Sequence, residues 1–347
     1  MRDEAAMRRA VELAASVRAL TSPNPWVGCV IVSGAASFEG AHRGPGQPHA
    51  EAAALAAAGE AARGATLYCT LEPCSHVGRT GPCADAIVAA GVSREVVGVV
   101  DPDTQVSGRG LARLRQAEVV VSVGAEADAV EDQLAPYLKH RRTGRPWVVL
   151  KLAATLDGRT AAPDGTSRWI TGPDARADAH RLRAESDAVL VGAGTVRSDD
   201  PELTARPPAG PAPGRQPLRV VLGRAPATAK VRPALELAGD LAGVLEDLGR
   251  RQILQLLVEG GPRVAHDFHA AGLVDRYVVY LAPALFGGSD GRPLLDGPGA
   301  RSIDEVWRGR ALSVDRLGED LRIVLAPAGD LRASAAASAL AGVEAGR

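Results

Sequence analysis

Aromatic residues are scarce in this sequence, and neither sign of charge prevails. Only 3% of the 347 residues are aromatic, and the formal net charge is −1. Proteins that bind nucleic acid present basic patches, and those that hold single strands stack the bases on aromatic side chains. The composition therefore predicts that this protein has no nucleic-acid partner.

Cysteine is also rare, and long apolar runs are missing. Four cysteines occur, of which Cys29 and Cys69 lie inside apolar runs and are typical of core thiols. This usage favours a reducing cytoplasm over a disulfide framework. A membrane-spanning helix needs about 18 apolar residues in succession, and no stretch supplies them. The charged N-terminal residues precede no apolar segment, so we expect neither a signal peptide nor a membrane partner.

The other two cysteines belong to a group of metal-ligand residue types. The group begins with Pro48-His49-Ala50-Glu51, continues with Glu72-Pro-Cys-Ser-His76 and ends with Gly81-Pro-Cys83. Imidazole and thiolate bind zinc, and a catalytic zinc site keeps three protein ligands and one open position. The sequence therefore predicts a catalytic zinc site. Its three ligands are His49, Cys74 and Cys83.

Glu51 follows His49 by two positions, so we expect it beside the metal, where it could move protons. The pattern His-x-Glu … Pro-Cys … Cys is the signature of zinc-dependent nucleobase deaminases, although eight residues rather than two separate these cysteines. The added residues would form a loop that shapes the substrate pocket. A structural zinc site is the alternative, and His76 would then be the fourth ligand.

Helical and strand patterns alternate along nearly the whole chain. Apolar residues recur at helical spacing over residues 4–20, and short apolar runs such as 65–71 have the character of buried strands. This alternation predicts an α/β fold. We place the domain boundary at residue 145, which gives domains 1–145 and 146–328, each expected to fold and act independently. Residues 329–347 are expected to form a disordered tail.

Taken together, the motifs resemble those of one family. Ser22-Pro-Asn-Pro25, the three segments of the predicted zinc site and Gly78-Arg-Thr-Gly-Pro-Cys83 resemble the deaminase domain of the bifunctional riboflavin-biosynthesis deaminase–reductases. The second half resembles their reductase domain at Lys151–Gly158, Ser167–Thr171 and Val258–Gly261. The resemblance implies a cytidine-deaminase-like α/β/α domain followed by a dihydrofolate-reductase-like α/β domain.

The resemblance also implies two reactions on a small-molecule substrate. The first domain would use Zn²⁺ to hydrolyse the ring amino group of 2,5-diamino-6-ribosylamino-4(3H)-pyrimidinone 5′-phosphate. The second would use NADPH to reduce the ribosyl group of the product to ribityl, and the family forms homo-oligomers. The alternative is a single-activity zinc deaminase with a weak or inactive reductase half, because residues 230–239 contain no strong strand where the family usually has one.

Most site residues are implied by matching position within the family. The catalytic positions are Glu51 and Lys151, the lysine holding or polarising the opened ribose. The deaminase substrate positions are Asn24, His42, His76 and Arg79. The reductase substrate positions are Ser167, Arg183, Leu203, Arg206 and Glu259. The cofactor positions are Ala153, Trp169, Thr195, Asp199, Gly261, Pro262, Arg263, Val264, Ala265, His266 and Asp267.

Ordinary structural roles stay open for several of these residues. Asn24 could be a cap, and His42 and Arg79 could be plain surface residues. Lys151 could be a strand-end lysine whose charge reaches solvent. Arg183 and Arg206 are expected to bind the substrate's phosphate. Each could instead pair with an acid such as Glu185 or Glu202.

Overall fold

A computed structural model describes residues 3–75, 81–206 and 215–328. The predicted ligand alternative His76, the predicted pocket residue Arg79 and the predicted tail 329–347 lie outside the described residues. The described N-terminal elements are α1 Asp3–Thr21, β1 Gly28–Ser33, β2 Ala36–Ala41, α2 Ala50–Ala58, β3 Thr66–Leu71, α3 Cys83–Ala89, β4 Arg94–Val99, α4 Arg109–Gln116, β5 Val120–Val123 and α5 Ala127–Thr143. A 3-10 turn, Gly59–Ala62, follows α2.

These N-terminal elements form a five-stranded sheet with helices packed on it. The strand order is β2-β1-β3-β4-β5. β1 is antiparallel to β2 and β3, whereas β3, β4 and β5 are parallel. The central strands are nearly continuous apolar runs because helices cover both faces of the sheet. The loops after the carboxyl ends of β3 and β4 consequently lie next to each other.

The C-terminal half is built on a larger mixed sheet. Its described elements are β6 Trp147–Thr155, β7 Arg159–Ala161, α6 Pro173–Ala184, β8 Ala188–Gly192, α7 Ala193–Asp199, β9 Leu218–Leu222, β10 Leu235–Leu237, α8 Leu241–Arg250, β11 Gln255–Val258, α9 Pro262–Ala270, β12 Arg276–Ala282, β13 Arg292–Pro293, β14 Gly309–Leu317 and β15 Asp320–Pro327. The order of the eight-stranded sheet is β10-β9-β8-β11-β6-β12-β15-β14. The strands from β10 to β12 are parallel to their neighbours, and β15 and β14 extend the sheet antiparallel.

The sequence shows no strong strand in residues 230–239, and the structure places a short one, β10, there. β10 pairs in parallel with β9, Leu235 opposite Val220 and Leu237 opposite Leu222. This strand has three half-buried residues at the edge of the sheet. Such a short edge strand produces no extended apolar pattern, and this is why the sequence did not reveal it.

The two halves meet along α5, whose end leads directly into β6. Lys139 pairs with Asp275 at 2.5 Å and Arg276 pairs with Asp132 at 2.6 Å. Leu254, which precedes β11, packs into the apolar core of the N-terminal sheet. The predicted boundary at residue 145 lies in the short link between α5 and β6. The domain limits, and the independence of the two halves, stay predictions.

One carboxyl in the N-terminal core is buried without compensation. Glu95 of β4 is completely buried, and among the described residues neither oxygen of its side chain has a hydrogen-bond partner. Burial, with smaller contributions from the charges of Glu51 and Glu72, raises the pKa of Glu95 well above its usual range. Folding therefore favours the neutral form of this carboxyl.

We expect Glu95→Leu to stabilise the protein, and more at pH 8 than at pH 5. The folded-state pKa lies above the unfolded one, so the wild type loses stability as pH rises above the unfolded value. A buried polar group without a partner costs about 1–3 kcal/mol, and more when charged. Urea unfolding at both pH values measures the difference. Glu60→Leu, at an exposed acid, is the control, and an equal gain at both pH values would contradict the explanation.

Candidate active sites

Three predicted metal ligands converge at the carboxyl end of β3. His49 immediately precedes α2, Cys74 lies in the loop after β3, and Cys83 is the first residue of α3. The distance from His49 Nδ1 is 3.6 Å to Cys74 Sγ and 3.3 Å to Cys83 Sγ. All three ligand atoms lie within 4.8 Å of one another.

This spacing fits a tetrahedral zinc ion. Zinc bonds of about 2.3 Å to sulfur and about 2.05 Å to nitrogen separate the two ligand atoms by about 3.5 Å. The observed separations bracket that value. The cluster found among the described residues has three ligands, the number typical of a catalytic site. The fourth ligand of the structural alternative, His76, lies outside those residues.

Hydrogen bonds within the cluster favour the thiolate form of Cys74. The bond from the Cys83 thiol, assisted by His49, lowers the pKa of Cys74 against the opposing effect of burial. The same bond, together with burial, raises the pKa of Cys83. The Cys83 backbone N–H also donates to Cys74 Sγ at 3.4 Å. Thiolate is the form that binds metal, so the cluster already favours the ligand state at Cys74.

Glu51 lies beside the cluster. It occupies the first turn of α2 and is 4% exposed, and burial raises its pKa. It lines a cavity of about 200 Å³ together with His49 and Cys74. A carboxyl that faces the same cavity as the metal ligands can exchange protons with a substrate held there.

Asn24 and His42 line the same cavity as a hydrogen-bonded pair. Nδ1 of His42 donates to the Pro48 carbonyl at 3.0 Å, which leaves Nε2 to accept from Nδ2 of Asn24 at 3.0 Å. Burial lowers the pKa of His42 and keeps the ring neutral. His42 is therefore buried in the pocket wall rather than at the surface, and its pairing fixes the carboxamide of Asn24.

One part of the cavity wall consists of four residues that the motifs did not reveal. They are Asp101, Asp103, Tyr137 and Arg141. The Tyr137 hydroxyl donates to the Asp101 carboxylate, at 3.0 Å to the nearer oxygen, and burial raises the pKa of Asp101 to about 6. The two acids follow the carboxyl end of β4, a position that could have indicated them. Tyr137 and Arg141 belong to the distant α5 and had no local signal.

Glu72, the first residue of the Glu-Pro-Cys motif, holds that wall in place. Its buried carboxylate accepts hydrogen bonds from the backbone N–H groups of Asp101 and Leu111 at 3.3 Å and of Gly108 and Gly110 at 3.0 Å. A Cβ atom on Gly110 would lie 2.0 Å from the Pro73 carbonyl oxygen, so this close approach requires glycine. The role of Glu72 is therefore to fix segment 101–111 against the metal loop.

A second constellation lies at the carboxyl ends of the parallel strands in the other half. Arg183 of α6 makes two hydrogen bonds to Glu259, Nε–Oε1 at 2.5 Å and Nη2–Oε2 at 2.9 Å. Nζ of Lys151 lies 4.0 Å from the same carboxylate. Burial lowers the pKa of Lys151. Although burial opposes it, the charge of Arg183 lowers the pKa of Glu259.

Two connected clefts border this constellation. The smaller, of about 190 Å³, is lined by Lys151 and Glu259 and by the predicted positions Ala153, Ser167, Thr195, Asp199, Gly261 and Pro262. The larger, of about 1090 Å³, shares Thr195, Gly261 and Pro262 with it and adds Arg263, Val264 and Asp267. The Gly261 N–H donates to Thr195 Oγ1 at 3.1 Å. Crevices at the carboxyl ends of parallel strands are the usual ligand sites of such sheets.

Six predicted positions do not line either of these clefts, and one of them is Arg183, whose guanidinium is bound to Glu259. Ala265 and Leu203 are buried in the core, and His266 interacts through Nε2 with the Pro298 carbonyl at 3.0 Å. Trp169 is 70% exposed, and the Arg176 guanidinium lies 4.7 Å from its ring centroid. Arg206 forms an exposed ion pair with Glu202 at 2.5 Å, the structural role left open above. Their functional roles stay predictions.

Comparison with known proteins agrees with both constellations. Residues 1–99 match the cytidine and deoxycytidylate deaminase zinc-binding region, and residues 146–323 match the RibD C-terminal domain. The riboflavin biosynthesis protein RibD of Escherichia coli is 42% identical, over 92% of this chain and 98% of that protein. This chain belongs to the RibD family. RibD of Aquifex aeolicus is 40% identical over 92% of this chain and 97% of its own length.

Solved structures of RibD proteins share the fold over nearly the whole chain. Acinetobacter baumannii RibD aligns with a TM-score of 0.88 and 39% identity, covering 94% of this chain and 98% of that one. A Thermotoga maritima protein aligns with a TM-score of 0.84 and 31% identity over the same shares. Its name describes a diaminohydroxyphosphoribosylaminopyrimidine deaminase / 5-amino-6-(5-phosphoribosylamino)uracil reductase.

Membership of the RibD family confirms the predicted fold class and cofactors. The chain is a bifunctional enzyme of riboflavin biosynthesis, with an N-terminal zinc-dependent deaminase domain and a C-terminal NADPH-dependent reductase domain. Its substrate is a small molecule. Within the described ranges, no helix combines the length and apolar character needed to cross a membrane.

Proposed function

We propose that the N-terminal site hydrolyses the ring amino group of 2,5-diamino-6-ribosylamino-4(3H)-pyrimidinone 5′-phosphate. The C-terminal site then reduces the ribosyl group of the product to ribityl with NADPH. The observation that supports this most directly is that the three zinc-ligand atoms lie within 4.8 Å of one another. Two of these ligands, His49 and Cys74, line one cavity together with the buried Glu51. The name of the Thermotoga maritima relative describes a deaminase and a reductase of this kind.

In the deaminase site, Glu51 is the residue that moves protons. When bound, zinc supplies the Lewis acidity that makes water nucleophilic at neutral pH. Glu51 takes the proton of the attacking water, passes it to the ring nitrogen and delivers a proton to the departing ammonia. One carboxylate can serve each transfer because it lies in the cavity wall beside the ligands. Asn24, fixed by His42, orients the pyrimidine through its carboxamide.

In the reductase site, Lys151 acts on the carbonyl of the opened ribose. When bound, NADPH supplies the hydride that the carbonyl carbon receives. Lys151 polarises the carbonyl oxygen and gives it a proton, and the lowered pKa of this lysine favours that transfer. Glu259 holds the ammonium group and is itself held by the two hydrogen bonds from Arg183. Lys151 also lies 5.8 Å from the ring centroid of Tyr280.

Of the two arginines expected at the phosphate, Arg206 is the better candidate. Nε and Nη2 of Arg183 already donate hydrogen bonds to the Glu259 carboxylate. The pair between Arg206 and Glu202 is exposed on both sides, and such pairs contribute little. A phosphate, which accepts paired hydrogen bonds from guanidinium, can therefore replace Glu202 as the partner of Arg206.

The alternative of an inactive reductase half loses its main support. It depended on a missing strand, and β10 is present beside β9. The residues that follow β10, from Ala238 to Leu241, line the larger cleft. We therefore propose that both sites are active, and the assay below decides the matter.

The enzyme is further proposed to act as a homo-oligomer in the cytoplasm. The four cysteines, all within the described residues, form no disulfide, as suits a reducing compartment. The C-terminal half exposes large apolar side chains, including Leu285, Ile303 and Val314. Exposed apolar surface of this kind is typical of contacts between subunits.

Loss of a zinc ligand should abolish deamination and leave reduction intact. Supplied with the diaminopyrimidine ribosyl phosphate, the enzyme is expected to stop at the deaminated product without NADPH and to continue to the ribityl product with it. Cys83→Ser should lose zinc and deamination together but still reduce the deaminated compound, because its reductase site contains no zinc ligand. Atomic absorption and product chromatography measure both effects.

The matched control is Cys29→Ser, which alters a buried thiol outside the ligand cluster. It should keep zinc and deamination. Full zinc content with normal deamination in Cys83→Ser would contradict the ligand assignment. Failure of the unmodified enzyme to convert the diaminopyrimidine would contradict the proposed substrate.

A further inference from the structure

The end of the deaminase helix α5 packs closely on the end of the reductase helix α8. His140 is buried, and its Nε2–H donates to the Gly249 carbonyl oxygen at 3.0 Å. A Cβ atom on Gly249 would lie 1.8 Å from the carbonyl oxygen of Gly144, which follows α5. The backbones of the two halves therefore approach here as closely as glycine allows.

Arg141, the next residue of α5, forms a hydrogen bond with a residue of the reductase half. Its Nη1 donates to Oε1 of Gln252 at 3.2 Å and to Nδ1 of His140 at 3.0 Å. Nδ1 can accept this bond because the other ring nitrogen carries the proton that is donated to Gly249. Gln252, one partner of Arg141, thus belongs to the reductase half. His140, the other partner, is oriented by its hydrogen bond to the reductase residue Gly249.

The guanidinium of Arg141 also forms part of the deaminase cavity. Its Nε lies 3.3 Å from Oδ2 of Asp103, and its carbon lies 5.0 Å from the ring centroid of Tyr137. Tyr137 in turn donates to Asp101, and all four residues line the same cavity as His49 and Cys74. A shift of Arg141 would therefore alter the wall that faces the substrate.

We propose that the reductase domain, through Gln252, positions Arg141 and with it one wall of the deaminase pocket. Gln252 is a positioning residue, since it interacts with the wall and not with the reacting atoms. The inference rests on the proposed deamination and adds to it a dependence of substrate affinity on the other domain. The metal ligands and Glu51 lie at the starts of α2 and α3 and in the loop after β3. The chemical step is accordingly insensitive to Gln252.

The test is steady-state deamination by the full chain with Gln252→Ala. The KM for the diaminopyrimidine ribosyl phosphate should rise about two- to tenfold, the range produced by the loss of one hydrogen bond. The kcat should stay within about twofold, and zinc content and reduction of the deaminated compound should be unchanged. Gln252→Glu, whose carboxylate also accepts from guanidinium, should restore the KM.

The matched control is Glu246→Ala. It removes the ion pair with Arg145 at 2.5 Å, which lies at the same interface. Among the described residues, Glu246 forms no hydrogen bond or ion pair with the cavity wall. Its KM should equal that of the wild type. An unchanged KM in Gln252→Ala, or an equal rise in Glu246→Ala, overturns the inference. An unmodified enzyme that does not deaminate would instead contradict the proposed function.

Discussion

Replacing Glu51 by glutamine is expected to remove deamination while zinc stays bound. The amide is nearly isosteric with the carboxyl but cannot accept the proton of the attacking water. General acid–base groups contribute about 10²–10⁴-fold, and the loss should reach the upper end because Glu51 serves every transfer. The ligands His49, Cys74 and Cys83 are untouched. Ammonia release, with zinc measured on the same samples, gives the result.

The other activity of the same variant is an internal control. Reduction of the deaminated compound by Glu51→Gln should be close to that of the wild type, because Lys151 and its cleft lie in the other half. Glu60→Gln, at an exposed acid in the turn after α2, should deaminate normally. Deamination by Glu51→Gln within a few-fold of the wild type would refute the assigned role.

Lys151→Met should have a comparable effect on reduction. Methionine keeps the length of the side chain but has neither the charge nor the proton that the carbonyl oxygen requires. Removing one donor that stabilises developing oxyanion charge typically costs about 10²–10³-fold in kcat. Glu259 keeps its two hydrogen bonds from Arg183, so we expect the fold to persist. NADPH oxidation with the deaminated compound as substrate measures the loss.

A second lysine of the same half provides the comparison. Lys230 is exposed and lies 3.7 Å from Asp200 in a surface pair. Lys230→Met should reduce its substrate at the wild-type rate, and neither substitution should change deamination. If Lys151→Met kept its kcat and only its KM rose, Lys151 would bind the substrate without acting on the carbonyl.

The sequence revealed residues whose function depends on close spacing. His49 and Glu51 are two positions apart, and Cys74 and Cys83 follow prolines in short motifs. Such local groups are brought together by one strand and the starts of two helices. The sequence therefore predicted both the zinc site and the residue beside it. The structure brings the three ligand atoms within 4.8 Å of one another, and His49, Cys74 and Glu51 line one cavity.

Residues that reach a site from distant elements left no comparable signal. Tyr137 and Arg141 come to the cavity from α5, and only the packing of that helix against the sheet determines their position. The pairing of Arg183 with Glu259 spans 76 positions. Arg183, which matches a phosphate position of the family, is bound to the carboxylate of Glu259. Sequence alone does not show which charged partner lies next to a side chain in the fold.

The four backbone hydrogen bonds to Glu72 bear on the unusual separation of the two cysteines. They tie the substrate wall to the residue that directly precedes Pro73 and Cys74, on the N-terminal side of the inserted loop. The hydrogen bonds that hold the wall thus end at a residue that precedes the loop. The position of the wall relative to Cys74 therefore depends on contacts that include no residue between the two cysteines.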